Sequence, residues 1–267
     1  MIKKTITPII IITLILTLCL PAYANTLTVN GQALDSYIEN GITYASVREF
    51  TEQYDGYSVG WEARSKTATI TGSDLEARVY QGRPYLVANG RVLVRDGINR
   101  NKESKLYAPV TELAKMLSAD VVWNPSTRRV TVTGGGQALA SAESYYNSDD
   151  LYWLSRIISA ESRGESFMGK CAVGNVVLSR RTSSQFPNTV KDVVFDTKFG
   201  VQFSPVSDGS IYNEPTVESV MAAKAVLDGF KKVDGTLYFL NPRTATNSWI
   251  INNRRFCMRI GNHDFYY

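Results

Sequence analysis

The stretch from Leu151 to Asn175, LYWLSRIISAESRGESFMGKCAVGN, contains two apolar segments joined by the polar sequence ESRGE at 161–165, which we call the elbow. Offsets of three and four residues return to one face of a helix, so this pattern predicts two helices joined at the elbow. The apolar stripe of the first helix consists of Leu154, Ile157 and Ile158. Glu161 closes that stripe, where desolvation should raise the pKa of its carboxyl group toward that of a general acid. An exposed Glu161 paired with Arg163 is the alternative.

Capping residues predict the limits of the two helices. The sequence SDD at 148–150 suits the start of the first helix, as a cap followed by partners for the helix dipole. Gly164 suits its end, where a left-handed residue costs little. Ser166 suits the start of a second helix that continues to Arg180.

Composition limits the classes of function. The chain has 267 residues, 44% of them hydrophobic, which is enough for two modest domains with cores. Its formal charge is +4, or +2 without Lys3 and Lys4, so it lacks the strong basic field of a nucleic-acid-binding protein. We therefore predict no nucleic-acid partner. Cys171 and Cys257 either form a disulfide outside the cell or are two small buried apolar residues.

The first 24 residues have the parts of a secretory signal peptide. Lys3 and Lys4 precede an apolar run over 6–20, and Ala22-Tyr23-Ala24 supplies a small-x-small cleavage pattern. The apolar run falls short of the roughly 20 residues that a membrane-spanning helix needs. We predict secretion, cleavage after Ala24 and no stable membrane insertion afterwards.

An internal repeat occupies 27–134. Two pairs of segments recur along this stretch with an offset of 62 to 63 residues: 43–50 with 106–113, and 61–72 with 123–134. Each copy predicts a short helix, a strand that ends at a tryptophan, a turn and an alternating strand. Further strands are predicted at 85–87 and 92–94.

This repeat resembles the copper amine oxidase N-terminal-like domain, a module of secreted bacterial proteins. The resemblance implies an α+β accessory domain over 26–136 without copper chemistry, because the region contains no His. Trp61 and Trp123 are either sugar-stacking platforms or core anchors, and their equivalent positions in the two copies favour core anchors. The Gly-, Ala- and Ser-rich sequence at 137–147 predicts a flexible linker before a second domain over 148–267.

Turn residues divide the rest of the second domain into short elements. In chain order the predicted elements are a helix over 189–195, a loop over 199–212 that floors a groove, a helix from Pro215 to Leu227, a strand over 236–240 and a closing hairpin of 256–260 with 265–267.

Six sequence blocks resemble, in order, the cell wall hydrolase family of spore-cortex-lytic enzymes of the SleB type. They are AESRGE at 160–165, GKCAVGNVVLSR at 169–180, FPNTV at 186–190, QFSPV at 202–206, YFLNP at 238–242 and IGNHDFY at 260–266. The resemblance covers 151–267. Ser159 and Ser162 depart from the usual family pattern, but the spacing between Glu161 and Glu165 is kept.

The resemblance implies a mainly helical, lysozyme-like domain with a small sheet. It further implies cleavage of peptidoglycan between N-acetylmuramic acid and N-acetylglucosamine, as a lytic transglycosylase or muramidase, at the cell wall or spore cortex and with a role in germination. In this family a single Glu serves as general acid and then as general base, and the resemblance assigns that role to Glu161.

Other side chains are predicted to bind the glycan. These are Gln202, Tyr238, Asn241, Trp249 and Glu165. Glu165 equally suits a charge at a helix start, and core packing is the alternative for the two rings. Asp208 and Asp264 are weaker candidates for a second carboxylate. We predict no metal and no cofactor.

Three alternatives compete with this interpretation. An N-acetylmuramoyl-L-alanine amidase with a catalytic zinc needs a His-rich ligand set, but His263 is the only His in the chain. A Cys-His peptidase needs a thiolate, yet Cys171 is predicted inside a helix and Cys257 in an apolar strand. A non-catalytic wall-binding protein would be expected to lack Glu161.

Overall fold

A computed structural model describes residues 27–198 and 200–267, so the predicted signal peptide lies outside the described residues. The first part of the described chain, 27–134, is strand-rich, and we call it the repeat unit. Its strands are β1 (Leu27–Val29), β2 (Gln32–Leu34), β3 (Ser36–Glu39), β4 (Ile42–Ser46), β5 (Ser58–Glu62), β6 (Thr67–Thr71), β7 (Glu76–Tyr80), β8 (Tyr85–Ala88), β9 (Arg91–Val94), β10 (Arg100–Lys102), β11 (Lys105–Pro109), β12 (Ala119–Asn124) and β13 (Arg129–Gly134), and its helices are α1 (Val47–Thr51) and α2 (Val110–Met116).

The strands of the repeat unit pair so that its two ends meet. The sheets have the orders β12-β13-β1-β2, β10-β11-β4-β3 and β5-β6-β7-β8-β9. Strand β1 runs parallel to β13, with Leu27 opposite Val130 and Val29 opposite Val132. Because the first strand lies beside the last, this pairing closes the unit.

The predicted repeat is confirmed. Helix α1 precedes the β5–β6 hairpin, and α2 precedes the β12–β13 hairpin. Phe50 of α1 and Leu113 of α2 are fully buried in one apolar cluster. The two helices therefore hold their hairpins through the same core.

The prediction that Trp61 and Trp123 are core anchors is wrong, because their side chains are 46% and 48% exposed. Trp61 lies opposite buried Ala68, and Trp123 lies opposite buried Val130. Directly opposed residues of an antiparallel pair share one face of the sheet. Both rings therefore lie on the core-side face, but at the turn end of each hairpin, where the core ends.

The second part of the chain, 148–267, is mainly helical, and we call it the helical unit. Its helices are α4 (Ser148–Ser162), α5 (Phe167–Thr182), α6 (Val190–Val194), α7 (Ser204–Asp208), α8 (Val217–Leu227) and α9 (Trp249–Asn253), and its strands, ordered β14-β16-β15 in one sheet, are β14 (Tyr238–Leu240), β15 (Phe256–Ile260) and β16 (His263–Tyr266). The predicted α+β class is confirmed. Within the described ranges, no helix is long and apolar enough to cross a membrane.

Helices α4 and α5 form the predicted hairpin around the elbow. The cap of α4 is Asn147 rather than the predicted Ser148, since the Asn147 side chain accepts a hydrogen bond from the Asp150 N–H at 3.0 Å. Ser166 caps α5 as predicted, accepting from the Gly169 N–H at 3.3 Å. Side-chain oxygens thus satisfy backbone donors at the start of both helices.

The predicted left-handed conformation at Gly164 is wrong. Arg163, which follows the end of α4, has right-handed helical dihedrals (φ −53°, ψ −40°), and Gly164 is not among the residues with positive φ. The Glu165 N–H donates to the Ser162 carbonyl at 2.9 Å, so a tight turn connects α4 to α5 without a left-handed residue.

Most downstream predictions are confirmed, and two are incomplete. Helices α6 and α8 and the strands β14 to β16 lie in the predicted segments, but α8 begins at Val217 behind the cap Thr216 rather than at Pro215. The predicted loop over 199–212 contains α7 and a 3₁₀ turn at Ser210–Tyr212, separated by Gly209 with φ 80°. Helix α9 was not predicted. Helices α7 and α9 have five residues each and no side-chain cap, whereas α6, of the same length, begins at the capping residue Thr189.

The segment predicted as a flexible linker is folded against both units. Its residues Ala142–Tyr145 form the short helix α3. The Ala142 N–H donates to the Asn89 carbonyl at 2.8 Å, and the Tyr146 hydroxyl donates to Asp228 of the helical unit. Backbone donors and tyrosine side chains therefore hold this segment in place. The Gly, Ala and Ser content, on which the prediction of a flexible linker rested, does not reveal these contacts.

The two units share a core. Tyr85, Val92 and Val94 of the repeat unit belong to the same apolar cluster as Leu154 and Val173 of the helical unit. Beside this cluster, Arg91 forms an ion pair with Asp228 in which both side chains are buried. The repeat unit is therefore docked on the helical unit through apolar and charged contacts.

Candidate active site

Glu161 lies in the last turn of α4, at the start of the elbow, and is partly exposed. Burial raises the pKa of its carboxyl group to about 7. This upward shift of the pKa is the one predicted from the position of Glu161 on the apolar stripe. Arg163, the predicted alternative partner, is exposed and is not among the charges that act on this carboxyl group. Glu161 can therefore hold a proton at neutral pH.

Arg180 of α5 is the cation that acts on Glu161. Its positive charge opposes the effect of burial and lowers the pKa of the Glu161 carboxyl group. Arg180 is itself buried, which lowers the pKa of the guanidinium group to about 10, so it remains charged at neutral pH.

Arg180 is held rigidly. Its Nε donates to the Leu237 carbonyl at 2.8 Å, and its guanidinium carbon lies 4.9 Å, 5.0 Å and 5.7 Å from the ring centroids of Phe186, Phe203 and Tyr238. Its buried Nη1 has no hydrogen-bond partner among the described residues. One guanidinium N–H donor of Arg180 is thus buried without a partner among the described residues.

Asp208, at the end of α7, is the negative charge that acts on Glu161. Its field raises the pKa of the Glu161 carboxyl group further. Asp208 is exposed and accepts a hydrogen bond from the Ser210 N–H at 2.8 Å, and its own pKa is lowered by its hydrogen bonds to Ser210. A carboxylate that is ionised at neutral pH therefore accompanies the sheltered acid.

Glu165 ties the elbow to the closing hairpin. One carboxylate oxygen accepts from the Asn262 side-chain amide at 2.9 Å, and the other accepts from the Asn262 N–H at 3.2 Å. The His263 Nδ1 lies 3.9 Å away. Both oxygens of Glu165 are engaged within the protein, which favours the structural role over the substrate-binding one.

Tyr238 and Trp249 lie side by side, with ring centroids 6.4 Å apart. The guanidinium carbon of Arg254 lies 4.7 Å and 4.6 Å from the two ring centroids. Trp249 is 48% exposed, whereas Tyr238 is partly buried and faces Arg180. Contacts therefore run from Arg180 through Tyr238 to Trp249, and the charge of Arg180 acts on Glu161.

Gln202 and Asn241 are partly exposed and bind within their own loops. The Gln202 side chain donates to the Gly200 carbonyl at 3.0 Å, and the Asn241 side chain accepts from the Arg243 N–H at 3.0 Å. Gln202 precedes Phe203, which faces Arg180, and Asn241 follows β14. Their loops flank the Arg180 cluster.

The remaining candidate residues have structural partners. Asp264 is buried and forms a two-point ion pair with Arg259. His263 is buried, which lowers the pKa of its imidazole. Cys171 and Cys257 are both free, and burial raises the pKa of the Cys171 thiol. The described part of the chain has no cluster of three ligand residues for a metal ion.

Sequence reasoning missed Arg180 as a site residue. The sequence contained a signal, because helical spacing places Arg180 on the same face of α5 as Val173, Val176 and Val177. A charged residue that ends the apolar stripe of α5 corresponds to Glu161 at the end of the stripe of α4.

Comparison with known families gives two matches. Residues 164–266 match the family described as cell wall hydrolase, and residues 28–132 match the copper amine oxidase N-terminal domain. The two matches lie in the helical unit and in the repeat unit.

Curated relatives of this chain are spore cortex-lytic enzymes. That of Bacillus cereus is 32% identical over 185 residues, which cover 62% of this chain and 70% of the relative. That of Oceanobacillus iheyensis is 33% identical over 131 residues, covering 49% of this chain and 46% of the relative.

Among solved structures, the catalytic domain of the germination-specific lytic transglycosylase SleB from Bacillus anthracis is 37% identical. The alignment covers 46% of this chain and 97% of that chain, with a TM-score of 0.42. The catalytic domain of the Bacillus cereus SleB protein has the same identity and TM-score, with 92% of that chain covered.

Proposed function

Because the chain belongs to the cell wall hydrolase family of the spore cortex-lytic enzymes, we propose that it cleaves peptidoglycan glycan strands with Glu161 as both acid and base. The observation that carries the proposal is the partly sheltered carboxyl group of Glu161 at the elbow, with a pKa that desolvation raises to about 7. Such a group exchanges a proton readily at neutral pH, because a catalytic pKa near the working pH serves donation and uptake alike.

The reaction begins when protonated Glu161 donates to the oxygen of the β-1,4 bond between N-acetylmuramic acid and N-acetylglucosamine. The bond to the anomeric carbon of muramic acid then breaks, and that carbon develops oxocarbenium character. The positive charge of Arg180 stabilises the carboxylate that donation leaves behind.

In the second step, the Glu161 carboxylate takes the proton of the 6-hydroxyl group of the same sugar. The hydroxyl oxygen bonds to the anomeric carbon, which closes a 1,6-anhydro ring and restores protonated Glu161. This lytic route needs one carboxyl group and no water. It agrees with the engagement of both Glu165 oxygens by Asn262.

Hydrolysis is the second candidate, and Asp208 is the observation that favours it. Asp208 is exposed, its pKa is lowered by its hydrogen bonds to Ser210, and its charge acts on Glu161. A carboxylate of this kind can activate a water molecule opposite the acid, as in inverting glycosidases.

Mass spectrometry of digested peptidoglycan distinguishes the reactions. We expect 1,6-anhydromuramic ends, formed without uptake of oxygen from heavy-oxygen water. Reducing muramic ends that carry the heavy oxygen would instead establish hydrolysis, and the Asp208→Asn variant would then lose activity. Free L-alanine amino termini with intact glycan strands would establish an amidase and overturn the proposal.

The same proposal includes a place of action and a division of labour. Residues 1–24 act as a signal peptide, and the enzyme works at the cell wall or spore cortex. The accessory domain over 26–136 and the linker over 137–147 position the catalytic domain over 148–267 without joining the chemistry. N-terminal sequencing of the exported protein tests the first part, and a mature chain that still begins at Met1 would contradict it.

A further inference from the structure

The exposed Trp123 stands at the edge of a cleft in the repeat unit. The cleft has a volume of about 660 Å³ and includes Arg95, Val121, Trp123, Arg128 and Val130 in its lining. Small-ligand sites in proteins commonly have volumes of about 300–1,000 Å³. Glu161 does not line this cleft, so it is separate from the candidate active site.

The cleft has an apolar floor and an aromatic rim. Val121, Trp123 and Val130 share one face of the β12–β13 hairpin, because Trp123 lies directly opposite Val130 and Val121 lies two residues away. The indole ring has a flat apolar face and a single N–H donor. A pyranose ring, with C–H groups on its faces and hydroxyl groups at its edge, fits such a surface.

Two guanidinium groups give the cleft a positive charge. Arg95 and Arg128 line it, both are exposed, and neither forms an ion pair within the described ranges. The lining contains no Asp or Glu. The neighbouring Glu112 is buried and is not part of the lining; burial raises the pKa of its carboxyl group to about 7, and the charge of Arg95 opposes this shift. The cleft therefore suits a ligand that carries carboxylates.

A second cleft, with a volume of about 410 Å³, reaches Ser166, Phe167 and Met168 at the start of α5. Its lining includes Glu39 and Tyr44, whereas Ile38 and Thr43, which pair with each other across β3 and β4, line the first cleft. Adjacent residues of a strand point to opposite faces of the sheet. The two clefts therefore lie on opposite faces of the β3–β4 hairpin, and the second is not part of the proposed site.

We propose that the Trp123 cleft binds the carboxylate-bearing glycan strand of peptidoglycan. Trp123 stacks on a sugar ring, and Arg95 and Arg128 bind carboxylates of the stem peptides. The choice of peptidoglycan as the ligand rests on the proposed function, whereas the chemistry of the ligand rests on the cleft.

Trp61 supplies a matched control for the test. It occupies the equivalent position of the other repeat copy and is as exposed as Trp123. It lines neither of the two clefts. If exposed tryptophans bound peptidoglycan non-specifically, replacing either residue would weaken binding equally. If the cleft is a specific site, only the replacement of Trp123 weakens binding.

The experiment measures sedimentation of the full-length chain with purified insoluble peptidoglycan, in a Glu161→Gln background that keeps the wall intact. Trp123→Ala should weaken binding about 3- to 10-fold, the range for loss of one aromatic contact. Trp61→Ala should stay within about twofold, and Trp123→Tyr should retain most of the binding. The tyrosine variant excludes misfolding as the cause.

A second arm tests the charges with chitin, a β-1,4 glycan of N-acetylglucosamine that carries no carboxylates. Arg95→Gln combined with Arg128→Gln should weaken binding to intact peptidoglycan and leave binding to chitin unchanged. Equal losses on both materials would overturn the carboxylate assignment. Equal binding of Trp123→Ala and Trp61→Ala would overturn the site. Release of soluble fragments by the Glu161→Gln background would contradict the proposed function instead, so the two failures are distinct.

Discussion

Glu161 lies between two charges of opposite sign. Burial and the field of Asp208 favour its protonated form, while Arg180 favours the carboxylate. The balance gives a pKa of about 7, close to the pH at which one group can serve as acid and then as base. Removing the ionisable proton and changing the neighbouring charge are therefore separate tests of the site.

Glu161→Gln should abolish most of the activity. The amide keeps the shape of the side chain but cannot donate the proton, and loss of general acid catalysis typically costs about 100- to 10,000-fold. Glu165→Gln is the matched control and should cost much less, because Glu165 ties the elbow to Asn262. Rates of release of soluble glycan fragments measure both. A folded, active Glu161→Gln protein would overturn the site assignment.

Activity should also depend on pH through Arg180. A general acid works in its protonated form, so the rate of the wild-type enzyme should fall as pH rises through about 7. Arg180→Met removes the charge that lowers the pKa of Glu161. The alkaline limb of the pH profile should then move to higher pH, by roughly one unit for a nearby opposite charge.

Arg180→Lys is the control for this shift, because it keeps the positive charge but loses the planar group that the three rings surround. Its alkaline limb should stay near that of the wild type, even if its maximal rate falls. A limb that stays in place or moves to lower pH in Arg180→Met would show that Arg180 does not act on the carboxyl group.

At the scale of elements, the elbow depends on the turn between β15 and β16. Glu165 reaches this turn through two hydrogen bonds to Asn262. The adjacent Gly261 has φ 58°, and a Cβ there would lie 1.9 Å from a Glu165 carboxylate oxygen. The absence of a side chain at 261 therefore permits the contact that joins the hairpin to the elbow.

Gly261→Ala should destabilise the protein more than Gly235→Ala. Both glycines have positive φ, so alanine is strained at each by about 1–2 kcal/mol. Only at Gly261 must the Glu165 carboxylate also move, with loss of its hydrogen bonds, and we expect about 1–3 kcal/mol more. Urea unfolding of the two variants measures the difference. Equal losses would mean that the Glu165 contact contributes nothing to stability.

The elements were predictable from sequence where the pattern was long enough to have a period. Helices α4, α5 and α8 and the strands β5, β6, β8, β9, β12 and β13 were predicted, since apolar spacing and caps decide them locally. The other seven strands of the repeat unit were not predicted. Helices α7 and α9, with five residues each and no side-chain cap, carry no such signal. The upward shift of the Glu161 pKa was also predictable, because Glu161 ends the apolar stripe of α4.

The parts of the site that sequence could not predict depend on contacts between distant segments. Arg180 meets Phe203 and Tyr238 only after the chain has folded. Asp208 acts on Glu161 from a segment predicted as a loop. The exposure of Trp123 depends on where the core of its hairpin ends, which a repeated position in the sequence does not reveal.

At the scale of the whole molecule, the two units are held together by a buried charge cluster. Asp228 of the helical unit accepts hydrogen bonds from Arg91 and from Tyr146, and the Lys115 Nζ lies 3.3 Å from its carboxylate. Tyr145 stacks over the guanidinium group of Arg91. One carboxylate therefore joins the repeat unit, the connecting segment and the helical unit, in addition to their shared core.

Asp228→Asn should weaken this junction strongly. The substitution leaves Arg91 buried without an anionic partner, and breaking a buried pair in this way typically costs about 3–5 kcal/mol. Asp234→Asn is the matched control, because Asp234 makes the same kind of ion pair with Lys231 on the exposed surface. Exposed pairs contribute at most about 1 kcal/mol, so this variant should resemble the wild type.

Calorimetric unfolding of the full chain measures the effect on both stability and cooperativity. Because the units share a core, the wild type should unfold in one transition, and Asp228→Asn should unfold at lower temperature, with the two units separating into two transitions. Adding Arg91→Met to Asp228→Asn removes the uncompensated charge and should recover part of the loss, since an apolar side chain tolerates the buried site. If Asp228→Asn and Asp234→Asn unfold alike, the Arg91–Asp228 pair does not hold the units together, and the shared apolar cluster alone would have to account for their docking.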